Sequence, residues 1–143
     1  MHKILSNNLS ADDKPLTTFL NLYSYMIARK NKHLFKDFNI LIDGIIFVWI
    51  LNFFGYSRII RNSFDMTSIA PIVFEEAIRN NNRIYFIGSK PNIIDKAIEN
   101  IKLEFDKLDI CGYRDGYLSI NERETVFKEI VDLKADIVIC GMG

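Results

Sequence analysis

The sequence predicts an α/β fold, a Rossmann-like parallel sheet with helices on both faces. Short, nearly all-apolar runs alternate with stretches whose apolar residues recur at helical spacing, the pattern of strands buried on both faces. Several of those runs pass straight into a glycine-bearing turn. At 143 residues the chain can bury one sizeable core but not two independent ones. With no repeat and no linker, the expectation is a polar N-terminal segment over 1–15 and one domain over 16–143.

Leu16 to Leu20 (LTTFL) has strand character and breaks at Asn21 before a helical stretch from Tyr23 to Lys30. Asn39 to Asp43 (NILID) reads as the second strand and ends at Asp43-Gly44. The most apolar stretch, Ile45 to Phe54, follows and stops near Gly55. It is shorter than the roughly 20 residues a membrane span needs, so a helix buried behind a strand is expected, with an interfacial membrane segment as the alternative. Asp65, Thr67 and Ser68 supply caps for a helix running to about Arg79. Arg83 to Ile87 is a compact strand, followed by Gly88-Ser89-Lys90-Pro91 and a helix with Ile93, Ile94, Ala97, Ile98 and Ile101 on one face. Leu108 to Cys111, a loop from Gly112 to Ser119, a helix from Asn121 to Leu133 and a strand from Asp136 to Cys140 complete the pattern.

Eighteen Lys and Arg balance eighteen Asp and Glu without a block of either sign, which argues against a nucleic-acid binder. Cys111 and Cys140 close apolar runs without metal-ligand spacing and are expected to be reduced, buried thiols. The polar start lacks the apolar core of a secretory signal, so a cytoplasmic protein is expected.

The strand ends carry the chemistry. Asp43-Gly44, Gly88-Ser89-Lys90, Gly112 through Asp115-Gly116, and Gly141-Met142-Gly143 all follow apolar runs, and in a parallel sheet such turns share one edge. Glycine lets backbone N–H groups approach a phosphate, and helix N-termini favour negative charge; each glycine taken singly equally well serves only to turn the chain. No phosphate loop of the G-x-x-x-x-G-K-[ST] type and no G-x-G-x-x-G is present, nor a strand-end carboxylate pair suited to a metal. The residues by themselves therefore reach an α/β domain that binds a phosphorylated ligand.

Their order carries more. I-D-G at 42–44, an apolar helix with Trp49, then R-N-S-F-D-M-T-S at 61–68, I-G-S-K-P at 87–91, G-Y-R-D-G-Y at 112–117 and A-D-I-V-I-C-G-M-G at 135–143 together resemble the front part of a WecG/TagA/CpsF glycosyltransferase. The resemblance implies transfer of an N-acetylmannosamine-type or related sugar from a UDP donor to a polyprenyl-pyrophosphate-linked acceptor in cell-surface polysaccharide synthesis. The donor site is expected to need no metal or other cofactor, and the protein to meet the inner face of the plasma membrane through its acceptor. Asp43 matches the family's proposed general base, a role helped by an apolar setting from Ile42, Ile45 and Ile46; capping of the following helix is its alternative.

Arg61 matches an arginine expected to bind the donor diphosphate, with Arg58 as the alternative. Thr18 and Asn21 resemble a strand-end motif that positions sugar and acceptor. Gly44, Gly88, Ser89, Lys90, Asp115, Gly116, Tyr117, Gly141 and Gly143 lie in turns expected to hold substrate, with Lys90 at phosphate and Tyr117 at base or sugar. Longer relatives continue with a P-K-Q-E-like motif and a basic C-terminal appendage, so a truncated product, exposed apolar surface and homo-oligomer formation are expected. The competing readings are a remnant that binds nucleotide without turnover and a nucleotide sensor preferring adenine.

Overall fold

The computed structural model describes residues 16–55 and 59–142; the segment 1–15, Arg58 and Gly143 lie outside the described residues. The chain divides into two compact units, Met1–Ala70 and Pro71–Gly143, each with its own parallel sheet. The fold is α/β and Rossmann-like in its alternation of parallel strands and helices, as the sequence predicts.

In the first unit β1 (Leu16–Leu20) pairs in parallel with β2 (Phe38–Ile42), from Leu16 opposite Phe38 to Leu20 opposite Ile42. Between them runs α1 (Leu22–Lys30) and a short 3-10 turn, Lys32–Phe35. Asn21 ends the strand and starts the helix through a reciprocal cap: its Oδ1 accepts from Ser24 N–H at 2.9 Å, and its own N–H donates to Ser24 Oγ at 2.9 Å. Arg29 and Lys30 in the last turn suit the negative end of the helix dipole. After β2 comes α2 (Ile45–Phe53), joined to α1 by the rings of Tyr25 and Phe47, 5.1 Å apart. The sequence expectation of a helix buried behind a strand is corrected here. Only Phe47 and Val48 of α2 are fully buried, with the Phe47 ring set against Tyr25 of α1.

In the second unit β3 (Ile84–Gly88) is the central strand, buried at all five positions, with β4 (Ile110–Arg114) and β5 (Ile137–Gly141) parallel on either side. Alternation sends Ile84 and Phe86 to one face and Tyr85 and Ile87 to the other. Phe86 meets Phe74 of α3 (Ile69–Asn80), whose ring also contacts Phe105 beyond α4 (Pro91–Glu104). Tyr85 and Ile87 pack with Val126, Ile130 and Leu133 of and just beyond α5 (Ile120–Asp132). Arg83 ties the strand starts together: it forms an ion pair with Asp109 at 3.3 Å, donates to the Leu133 carbonyl, and receives Asp136 N–H on its own carbonyl at 2.9 Å.

One helix start is settled and one expected strand moves. Helix α3 starts at Ile69, directly after Ser68, the last of its three candidate caps, because the Asp65 side chain accepts from Thr67 N–H and Oγ1 and holds 65–68 as a turn. Strand β4 runs over Ile110–Arg114 instead of ending at Cys111, so Gly112 belongs to the strand and not to the following turn. The register skips Cys111, placing Gly112 opposite Tyr85, and a Cβ on Gly112 would lie 2.5 Å from the Tyr85 ring. Glycine is there to admit that ring. Of the two thiols, Cys111 is half-buried, and burial pushes its pKa up, whereas Cys140 is exposed on the β5 edge instead of buried.

Tyr85 carries a testable consequence. Its ring is fully buried and its hydroxyl lacks a hydrogen-bond partner of good geometry among the described residues; burial first, then Glu129, raise its pKa to about 12. The unfolded chain gives up that proton near the ordinary value of about 10 while the folded chain keeps it. Stability is therefore full below pH 10 and lost as pH rises towards 12. Tyr85→Phe is expected to remove this alkaline loss and to stabilise the unit by about 1 kcal/mol at neutral pH, read by urea denaturation at pH 7 and pH 11.

Candidate functional site

The carboxyl ends of β1 and β2 lie side by side. Asp43 N–H donates to Leu20 O at 2.9 Å, carrying the strand pairing one step further. Gly44 then turns the chain into α2 with φ of +95°, a conformation that favours glycine, and its position is 3.7 Å from the Asn21 Cβ when a Cβ is placed there. Asp43 Oδ1 accepts from Gly44 N–H at 2.7 Å and from Arg61 Nε at 3.3 Å, while Oδ2 takes no hydrogen bond from a described residue. Arg61 reaches Asp43 because its segment is fastened beside β2. Asn62 N–H donates to Ile42 O at 2.8 Å, and Asn52 both accepts from Ile59 N–H at 2.9 Å and donates to its carbonyl at 3.1 Å.

Arg61 Nη2 also meets Asp65 Oδ2 at 3.4 Å. The Thr67 hydroxyl first, and the Ser63 hydroxyl next, hold the Asp65 carboxyl below its ordinary pKa. The guanidinium thus bridges two carboxylates and keeps donors to spare. The apolar enclosure expected around Asp43 does not form, since Ile45 and Ile46 are exposed. Nor does Asp43 cap α2: the N-cap is Gly44, without a side-chain cap bond. Thr18 sits in mid-strand opposite Ile40, away from the strand end, and the Asn21 side chain is occupied in capping α1.

In the second unit three strand-end turns converge. Ser89, with φ of +61°, donates its N–H to Gly141 O at 3.3 Å, and Gly116 N–H donates to Ser89 O at 2.9 Å. Gly88 and Gly116 are packed so that a Cβ on Gly116 would lie 3.1 Å from Gly88 Cα. Backbone of 88–89, 116 and 141 therefore makes one glycine-lined surface at the carboxyl ends of β3, β4 and β5. Lys90, exposed, is the N-cap of α4 and Pro91 its first residue, so the positive end of the helix dipole opens beside this surface. Asp115 Oδ1 accepts Tyr117 N–H at 2.9 Å, which shapes the loop and leaves the Tyr117 ring 69% exposed.

Sequence reasoning brought forward Gly88, Ser89, Lys90, Asp115, Gly116, Tyr117 and Gly141, and the structure gathers them on this one edge; Gly143 and Arg58 lie outside the described residues. It passed over three contributors. Asp65 holds Arg61 from the second side, Asn52 fastens the approach to Arg61, and Glu122 pairs with Arg114 at the end of β4 while closing a cap with Ser119. The S-x-x-E spacing of Ser119 and Glu122 was a legible signal for the last; nothing local announces the other two.

Such a chain falls in the class of α/β proteins whose ligand chemistry sits at the carboxyl ends of parallel strands. Within that class it belongs to the glycosyl transferase WecG/TagA/CpsF family, whose pattern it matches over residues 2–143. It is similar to the UDP-Gal:alpha-D-GlcNAc-diphosphoundecaprenol beta-1,4-galactosyltransferase of Shigella boydii, with 38% identity over 128 residues, 90% of this chain and 54% of that protein. It is also similar to the N-acetylglucosaminyldiphosphoundecaprenol N-acetyl-beta-D-mannosaminyltransferase of Bacillus subtilis, with 30% identity over 108 residues, 73% of this chain and 39% of that protein. The Bacillus spizizenii transferase of the same description is 26% identical over 104 residues, again 73% and 39%. The chain spans about half the length, or less, of these curated relatives.

Proposed function

We propose that this chain serves transfer of a hexose or N-acetylhexosamine from a UDP donor to a polyprenyl-pyrophosphate-linked acceptor, at the inner face of the membrane that holds the acceptor. The observation that carries this is the strand-end carboxylate of Asp43, oriented through Oδ1 by Gly44 N–H and Arg61 with Oδ2 left unengaged by described residues. In this reading Oδ2 takes the proton of the acceptor hydroxyl as its oxygen bonds to the anomeric carbon. The bond from that carbon to the UDP β-phosphate oxygen breaks, and its electron pair leaves with UDP. Arg61 positions Asp43, and its spare donors suit a diphosphate oxygen. Considered by itself, the glycine-lined edge of the second unit at Ser89, Gly116 and Gly141, with Lys90, suits phosphate oxygens, and Tyr117 suits a base or sugar.

Calorimetric titration with UDP, with ADP as control and both with and without Mg²⁺, tests the donor part. UDP is expected to bind in preference to ADP, and Arg61→Ala to weaken it on the order of tenfold to a hundredfold. Preference for ADP would overturn the reading in favour of an adenine-nucleotide module. Transfer from a panel of UDP-hexoses and UDP-N-acetylhexosamines to a polyprenyl-pyrophosphate-linked sugar then identifies the donor.

A further inference from the structure

Helix α2 is apolar on the side that faces water. Phe47 and Val48, with half-buried Leu51, form the inward seam, and the Tyr25 ring seats on Phe47. Ile46, Trp49, Ile50 and Phe53 recur at i, i+3, i+4 and i+7 on the other side, with Phe54 just past the last turn. Trp49 is 66% exposed, Phe53 85% and Phe54 72%. A surface helix in water carries polar residues there. This stripe begins three residues after Asp43, the strand-end carboxylate. Among the described residues no helix is long and apolar enough to cross a membrane, so α2 can lie on a bilayer but not span it.

Charge separates the units in the same sense. Residues 1–70 hold eight Lys and Arg against five Asp and Glu, net +3, while residues 71–143 hold ten against thirteen, net −3. Arg29, Lys30, Lys32 and Lys36 of the first unit are all exposed. A stripe of Trp and Phe on a cationic unit matches an anionic lipid surface, where indole and phenyl rings enter the headgroup boundary and Lys and Arg meet phosphate. A second copy fits less well. One face of a nine-residue helix presents far less than the ~800 Å² per partner of a stable interface, and two cationic units repel.

We infer that the outer face of α2 docks on an anionic phospholipid surface and so brings the Asp43 strand end to the bilayer. That the acceptor is met there rests on the transfer reading; the lipid contact itself does not, and it is measured without donor or acceptor. Trp49 is the only tryptophan and reports directly. With phosphatidylglycerol/phosphatidylcholine vesicles its emission is expected to shift to the blue and to be quenched by brominated acyl chains, and the protein to float with the vesicles. Pure phosphatidylcholine should bind more weakly, and added salt should weaken the anionic case. Phe53→Ser and Phe54→Ser, both at exposed positions, are each expected to reduce partitioning about tenfold while the circular dichroism spectrum is kept. Unchanged Trp49 emission and no flotation would overturn the inference, as would full binding by the double serine variant. So would a blue shift without lipid that tracks dimer formation in sedimentation, which would make a second copy the occupant. UDP titration of the same sample reads the donor reading independently of every one of these outcomes.

Discussion

Gly88→Ala is expected to destabilise the Pro71–Gly143 unit by about 3 kcal/mol or more and to abolish nucleotide binding at its strand ends. Gly88 has φ of +153°, which a side chain rarely adopts, and a Cβ there would lie 2.5 Å from Gly141 O, 2.7 Å from its carbonyl carbon and 2.9 Å from its Cα. Those are backbone atoms, so no rotamer change relieves the overlap. Gly88 and Gly141 form the last pair between β3 and β5, and the strands must part for a methyl to fit. Parting them removes the Ser89 N–H bond to Gly141 O and shifts the seat of Gly116. Gly55→Ala is the control: its φ is +82° but nothing lies within 4 Å of a Cβ, so only backbone strain of about 1 kcal/mol is expected. Urea denaturation followed by circular dichroism gives both values, and a Gly88→Ala midpoint equal to that of Gly55→Ala would contradict the packing argument.

Asp43→Asn is expected to lower sugar transfer by about 10²- to 10⁴-fold with UDP affinity unchanged. Asparagine keeps the shape of the side chain and an oxygen for Gly44 N–H, now 2.7 Å from Oδ1, but cannot take the acceptor proton. The ion pair with Arg61 is lost as well. That pair is solvent-exposed, and its contribution to stability is at most about 1 kcal/mol, so the variant should fold normally. Comparing single-turnover transfer with UDP titration on the same preparation isolates the effect. Transfer at the wild-type rate would remove Asp43 from the role of base.

How much of this was legible in the sequence follows from how far apart the deciding residues lie. Strands β1, β2, β3 and β5 were readable to within a residue or so, because a run such as Ile84-Tyr85-Phe86-Ile87 declares its own burial. So was the helix face of α4, where Ile94 and Ile98 keep the period of the core. Strand β4 was misplaced because Gly112 interrupts its apolar run, and the reason for that glycine is the ring of Tyr85, 27 residues earlier. The glycine turns at the carboxyl ends of β3, β4 and β5 were visible one at a time. That Ser89 bonds to both Gly116 and Gly141 was not, since it follows from strand register.

The α/β alternation, the family pattern and the identity of Asp43 and Arg61 were in the sequence, written in neighbours a few residues apart and in motif order. Tertiary structure decided which side of α2 faces water, that Arg61 is clasped by Asp43 and Asp65, and that Asn52 and Asn62 hold it there. Periodicity reports that a helix is apolar but not what covers it, and an ion pair between residues 18 apart exists only once the backbone between them has been fastened.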